Sequence, residues 1–462
     1  MRGYVWGNQS LLILMFELRA IYSKFQRLKY LNREVLKVVS SIQSQPQTGL
    51  KLFNTMTRKK EFFKPLKDNS VKIFTCGPSI HQPVHLGNFK IFLFEDILIR
   101  YLEYLGYKVE HVMNLTDIED EVVFESKKKG IDIKTIIDSV AKTFTKESAL
   151  LKLKPSTYNP WASDNKDQAV KLIKILLKKG IAYRHKGDVY FDPSKFPNFG
   201  KLYGLDMNLW PKKKKRFKKD NYSGLRWNLG DFILWHSCRD GERIFWDEDL
   251  GYGRPSWNIQ DPAMATKYLG FEIDICCGCS DNLFRHHDYH LAIAEGVSGK
   301  TFATYWLHAK DLYVYGKKIS KSTGNIVHLG DLLKDGYEPE HVRFYLIYSH
   351  YQEKINFTKK DFENTVKKLN ELRELVKELM EPDSCGGKSD MNANSLIEEL
   401  VPKFEECMNN DLDVKYAIDE IFETVSKLIS FKRENRLTTI DSNRALTELR
   451  KIDEVFQIIF NK

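Results

Sequence analysis

Residues 71–114, VKIFTCGPSIHQPVHLGNFKIFLFEDILIRYLEYLGYKVEHVMN, constrain the fold more than any other stretch of this chain. Residues 71–76 are a β-branched and aromatic run stopped by Gly77-Pro78, which predicts a short strand. From Phe89 the apolar period changes: Phe94, Ile97, Leu98, Tyr101, Leu102 and Leu105 recur at helical spacing, and Gly106 is placed to end the helix. Residues 108–114 read as a second strand. Strand, loop, amphipathic helix and strand predict a βαβ unit with a right-handed crossover. The loop carries Cys76, His81, His85, Gly87 and Asn88. A helix N-terminus attracts phosphate because its free N–H groups and dipole point outward. Gly87 lets a ligand approach the backbone while His85 and Asn88 supply donors, so this turn is the predicted nucleotide site.

Downstream, Lys318-Ile319-Ser320-Lys321-Ser322 follows a strand-like run at 312–315 and precedes Gly324-Asn325. Two lysines with hydroxyls between them suit a clamp on a leaving pyrophosphate; the plainer reading is a solvated loop. Paired in order with His85-Leu86-Gly87-Asn88, the segment resembles the HIGH and KMSKS signatures of class I aminoacyl-tRNA synthetases. LKLFNTMTRKKEFFKPL, CGPSIHQPVHLGN and NLTDIED resemble the opening of cysteinyl-tRNA synthetases in particular, and the likeness runs through most of residues 50–460.

That resemblance implies an α/β fold: a Rossmann-like catalytic domain with an insertion, followed by an all-α helical bundle. It implies a ligase that activates L-cysteine with ATP and transfers it to the 3′ end of tRNA(Cys). His85, Asn88, Lys318 and Lys321 are then the catalytic residues, and Gly87 and Ser320 join them in binding ATP with Mg²⁺. Gly77, Thr116, Trp257 and Asp281 fall where the family contacts the amino acid. One Zn²⁺ per chain is implied, on Cys76, Asp261, His286 and His290. His286 and His290 are four apart, which on a helix puts both imidazoles on one face, a spacing that suits zinc. The family has a cysteine at the position of Asp261 and a glutamate at that of His290. With one anion and one sulfur fewer, the ion would be harder and more Lewis acidic. Cys276, Cys277 and Cys279 lie close by in sequence, either as packing residues or with one replacing Asp261 as ligand.

The length, 462 residues, suggests two to four units. The expected division is an extension at 1–50, the first catalytic half at 51–154, an insertion at 155–254 and the second half at 255–330. A stem-contact region at 331–360 and the bundle at 361–462 follow. A net charge of +10 suits a polyanionic partner, as do the lysines at 212–219, which otherwise form a solvated loop. Seven cysteines, an odd number, favour a reducing compartment over a disulfide framework. No apolar run approaches the ~20 residues that cross a membrane. Residues 1–50, arginine-bearing and acid-poor, are either an organelle transit peptide or a family-specific arm, so the expected location is the cytoplasm or an organelle. A monomer is expected. Many cysteinyl-tRNA synthetases continue past the bundle into an anticodon-reading domain, and this chain stops at Lys462. An ATP-dependent ligase of amino acids to a small amine, a non-catalytic tRNA-binding homologue and a plain nucleotidyltransferase are the rival readings.

Overall fold

The computed structural model describes residues 49–217, 229–238, 245–319, 324–382 and 388–460. Most of the expected 1–50 extension, Cys385 and the Ser320-Lys321-Ser322 part of the second motif lie outside the described residues.

β1 (Lys51–Asn54) and β2 (Lys59–Phe62) pair as an antiparallel hairpin. β3 (Ser70–Thr75), α1 (Leu86–Tyr104) and β4 (Lys108–Met113) then form the predicted unit, with the strands parallel from Ser70 opposite Lys108 to Thr75 opposite Met113. α1 begins ahead of Phe89, because a polar cap at His85 and not the first apolar residue sets its start. Gly106 closes it at φ 90°, a conformation that residues with a Cβ avoid.

α2 (Asp120–Lys129) and α3 (Ile133–Leu150) precede a segment with its own sheet. There α4 (Lys166–Lys178) starts after Asn165, with Ser163 and Asp164 in a short turn before it. β5 (Ala182–His185), β6 (Asp188–Phe191), β7 (Arg216–Phe217), β8 (Asp231–Ser237), β9 (Trp246–Glu248) and β10 (Gly251–Pro255) follow. They order as β5-β6-β8-β10-β9 with β7 beside β8. Part of the lysine-rich stretch is absorbed here. Lys214 bonds Asp192 at 2.7 Å and lies over the Tyr183 ring, whose hydroxyl accepts from Arg216; Lys212, Lys213 and Lys215 stay exposed.

α5 (Trp257–Tyr268), β11 (Ile273–Cys279), α6 (Asp288–Ser298) and β12 (Ala303–Ala309) bring the chain back. The parallel sheet reads β12-β11-β3-β4, so strands from both sides of the intervening segment form one layer. Both of its faces are covered, and the strand residues at the C-terminal ends of β3 and β4 are buried on both sides. Ile73 and Cys277 face the core that holds α1, while Phe74 and Cys276 face the core that holds α4, α5 and α6. β3, β4 and β11 end at the same edge, where ligands bind in open α/β sheets.

β13 (Leu312–Val314), β14 (Lys317–Lys318), α7 (Leu329–Lys334), α8 (Pro339–Ile347) and β15 (Ile355–Phe357) lead into α9 (Lys359–Met380), α10 (Met391–Asn409), α11 (Val414–Arg433) and α12 (Thr439–Phe456). In α9 the apolar stripe Phe362, Val366, Leu369, Leu372, Val376 and Leu379, recurring at helical spacing, is buried throughout. No described helix is long and apolar enough to cross a membrane.

Candidate active site

His85 caps α1 through a reciprocal pair of bonds: its Nδ1 accepts from the Asn88 amide at 3.3 Å, and Asn88 Oδ1 accepts from the His85 amide at 3.1 Å. Burial, then repulsion from His328, lowers His85 to about 4, so at neutral pH the ring is uncharged. With Nδ1 accepting, the proton sits on Nε2. Each residue thus keeps a side-chain donor, Nε2–H or the Nδ2 amide, for a ligand in the cleft they border.

The two sequence motifs meet. A Cβ on Gly87 would lie 3.0 Å from the His85 ring and 3.1 Å from Ile319 Cδ1, so the bare backbone leaves room both for that ring and for the second motif beside it. The Leu86 amide donates to Val327 O at 3.0 Å, and His328 Nδ1 lies 2.8 Å from Val84 O. Between the motifs runs an open cleft of about 320 Å³, bordered by Cys76, Gly77, His85, Asn88, Asp281 and Lys318. Lys318 pairs with Asp281 across it. Ser320 and Lys321 lie outside the described residues.

One wall of the cleft is also the corner of a buried polar cluster. Cys76 Sγ lies 3.3 Å from Asp261 Oδ2 and 3.4 Å from His286 Nε2, and those two atoms are 2.9 Å apart. Ligand atoms about 3.3–3.6 Å apart are what zinc bonds of about 2.0–2.3 Å give in a tetrahedron; the two edges from Cys76 have that length, and the 2.9 Å edge is a hydrogen-bond distance that a bound ion would widen. Trp257 stacks on the His286 ring at 4.2 Å between centroids. Burial alone would raise the Asp261 carboxyl, but His286 and His290 outweigh it and hold the group ionised. Burial, reinforced by Asp261, keeps the Cys76 thiol protonated. A carboxylate and a thiol enclosed with imidazole nitrogens are a donor set that suits a divalent cation, whose binding would release the thiol proton.

His290 stands differently. Its ring packs edge-on against Phe74 and near Phe302, and neither ring nitrogen has a hydrogen-bond partner among the described residues. The regular helix starts only at Asp288. A wide turn over Leu283–His287, with Arg285 at φ 73°, places His286 ahead of it, so the two imidazoles are not presented as one helical face.

Sequence reasoning missed two residues. His287 Nε2 lies 3.0 Å from Cys76 Sγ, and its Nδ1 lies 2.7 Å from His308 Nε2, whose other nitrogen meets Thr55 Oγ1 at 2.8 Å. The His286-His287 doublet was the available signal. Asn114 donates to Asp261 Oδ1 at 2.9 Å and to Thr116 at 3.1 Å, and accepts from the Gly77 amide at 2.9 Å. It thereby ties two predicted substrate residues to a predicted metal ligand. Of the cysteine trio, Cys276 and Cys277 are fully buried strand residues, and Cys279 donates to Asp311 at 2.9 Å. The position beside Cys76 and His286 is filled by Asp261. His81 lies apart from the cluster, with Nδ1 3.2 Å from Glu119 Oε2.

Comparison with known proteins agrees with this geometry. Residues 62–367 match the family described as tRNA synthetases class I (C) catalytic domain. Cysteine–tRNA ligase of Chlamydia muridarum is 35% identical over 420 residues, covering 88% of this chain and 87% of that one. The Brachyspira hyodysenteriae enzyme is 37% identical over 377 residues, covering 81% and 79%. Among solved structures, Mycobacterium tuberculosis methionyl-tRNA synthetase with methionyl-adenylate superposes with a TM-score of 0.60 at 13% identity, covering 84% and 90%. The LeuRS chain of an Agrobacterium radiobacter complex with tRNA and LeuAMS gives 0.61 at 11%, covering 86% and 85%. At such identities the structures speak for the fold alone, a Rossmann-like synthetase domain with a helical C-terminal region. With both signatures joined across one cleft and this extent of sequence identity, the chain belongs to the cysteine–tRNA ligases of the class I aminoacyl-tRNA synthetases.

Proposed function

We propose that this ligase is specific for L-cysteine and tRNA(Cys), with Gly77, Thr116, Trp257 and Asp281 receiving the amino acid beside Cys76, Asp261, His286 and His290, which hold Zn²⁺. The observation that carries this is the double position of Cys76: it borders the cleft between the two signatures, and its sulfur is a corner of the cluster. His290 is taken as the fourth ligand because its buried nitrogens otherwise go unsatisfied, a costly state. His287 is the alternative fourth ligand: its Nε2 lies 3.0 Å from Cys76 Sγ while its Nδ1 meets His308. When bound, the ion supplies a Lewis acid that favours a thiolate over a hydroxyl.

The chain's own residues orient the reaction. Mg·ATP lies along the capped start of α1, with His85 Nε2–H, the Asn88 amide and the backbone at Gly87 facing its phosphates. An oxygen of the amino-acid carboxylate attacks the α-phosphorus in line, the bond to the bridging oxygen breaks, and pyrophosphate leaves. Lys318, Ser320 and Lys321 meet the negative charge that grows on the leaving group. A ribose hydroxyl of the tRNA end then attacks the adenylate carbonyl, giving aminoacyl-tRNA and AMP. α9 to α12 dock the tRNA, and the protein works in the cytoplasm as a monomer.

The test is pyrophosphate exchange across the twenty amino acids with zinc measured on the same sample, followed by charging of total tRNA. Exchange with cysteine, about one zinc per chain and acceptance by tRNA(Cys) are expected. Exchange with another amino acid, or a small amine preferred to tRNA as acceptor, overturns the reading.

A further inference from the structure

Asp281 and Lys318 reach into the cleft from different elements, the turn after β11 and the end of β14. They form an ion pair there, both half-exposed. Asp311, whose other carboxylate oxygen is held by the Cys279 thiol, lies 3.7 Å from the same ammonium. Two of the expected site residues therefore neutralise each other in the cleft. An amino acid brings an ammonium of its own, chemically equivalent to that of Lys318, and Asp281 cannot pair fully with both. ATP brings phosphates that compete with Asp281 for Lys318.

We infer that the Asp281–Lys318 pair is an exchange contact coupling the two substrates: the ammonium of the amino acid displaces that of Lys318 from Asp281, and the released lysine turns to the phosphates of ATP. This rests on the placement of the amino acid at Asp281 given above. Asp311, 3.7 Å from the Lys318 ammonium, is a second and weaker competitor for it. No bond is made or broken, so the device is thermodynamic, and linkage makes it reciprocal: each substrate tightens the other by the same factor. Because the pair is exposed and screened by water, the factor is modest, about two- to fivefold, and it shrinks as salt rises.

The experiment is calorimetric titration of the full chain with Mg²⁺ and α,β-methylene ATP, which cannot be adenylated. Cysteinol, with an ammonium but no carboxylate, tightens the nucleotide about two- to fivefold, and N-acetylcysteine, with no ammonium, does not. Asp281→Asn removes the competitor, so this variant binds the nucleotide two- to fivefold more tightly than the unaltered chain with no amino acid present, and cysteinol adds nothing further. A lost substrate contact or a general packing defect predicts unchanged or weaker nucleotide binding, and that result overturns the inference. So does equal tightening by N-acetylcysteine. Should Asp281→Asn not fold, Asp311→Asn is the second variant; it shifts nucleotide affinity in the same direction by a smaller factor, and no shift or the opposite one refutes the exchange. The Asp281→Asn measurement needs no amino acid. A chain that fails to bind cysteinol therefore sinks the substrate assignment without deciding this one.

Discussion

At Asp261 a carboxylate stands where the resemblance leads one to expect a thiolate, and its two oxygens are fully engaged. Oδ1 accepts from Asn114, and Oδ2 faces Cys76 and His286. Asn114 touches the cluster only through that carboxylate and so acts by orientation. Asn114→Ala is expected to lower zinc affinity by about 10- to 100-fold, as losing the partner of a metal ligand commonly does, measured by chelator competition. An unchanged affinity would mean that Asp261 is not a ligand. In the second signature, Lys321→Ala should reduce pyrophosphate exchange by ~10²-fold, the scale of one lost electrostatic contact to a developing charge. Activity equal to the parent would remove that lysine from the machinery. His85, Gly87, Asn88 and Lys318 were legible as residue types in a pattern. Not legible was that His85 spends one nitrogen on capping its own helix, since that depends on the backbone turn it occupies.

Among the elements, α1 was the easiest to foresee and its start the hardest. An apolar stripe is visible in sequence because each buried residue recurs at the helical period, whereas a cap of histidine and asparagine looks like any polar pair. The turn is also where the two signatures touch, through Gly87 and Ile319. Gly87→Ala is expected to leave the melting temperature nearly unchanged, because Ile319 is flexible enough to move aside. Adenylation should fall by about 10-fold, because the added Cβ presses on the His85 ring 3.0 Å away and misplaces the donor that faces the phosphates. A variant with parental kcat and KM for ATP would show that the position of that ring is incidental. The segment around His286 taught the reverse: a four-residue spacing implies one helical face only where the helix is regular, and here a wide turn intervenes.

On the scale of the whole molecule, Arg343 of α8 joins parts distant in the chain. Fully buried, it donates to Asp96 of α1 at 2.6 Å, to Phe456 O at the end of α12 at 2.7 Å and to Leu151 O after α3 at 2.8 Å. Arg343→Met leaves Asp96 paired with Arg100 but strips the buried Phe456 and Leu151 carbonyls of their donor, and should cost about 1–3 kcal/mol in denaturant unfolding, against under about 1 kcal/mol for an exposed pair. Burial lowers His85 and His111 to about 4. Between the ordinary histidine value of 6.5 and 4 the unfolded chain holds more protons on these rings than the folded one, so their contribution is complete above about 6.5 and is lost as pH falls towards 4. Melting temperatures should decline across that window, and a flat profile would show that the rings are not held neutral by the fold. The sequence by itself determined the strand–helix–strand unit, the bundle stripes and the order of the two signatures, because each depends on residues a few positions apart and on the period of burial. Only the tertiary structure decided which side chains surround Cys76: Asp261 and His287 approach it across 185 and 211 residues of chain. No local pattern encodes such meetings, since they follow from how the sheet orders its strands and where each strand ends.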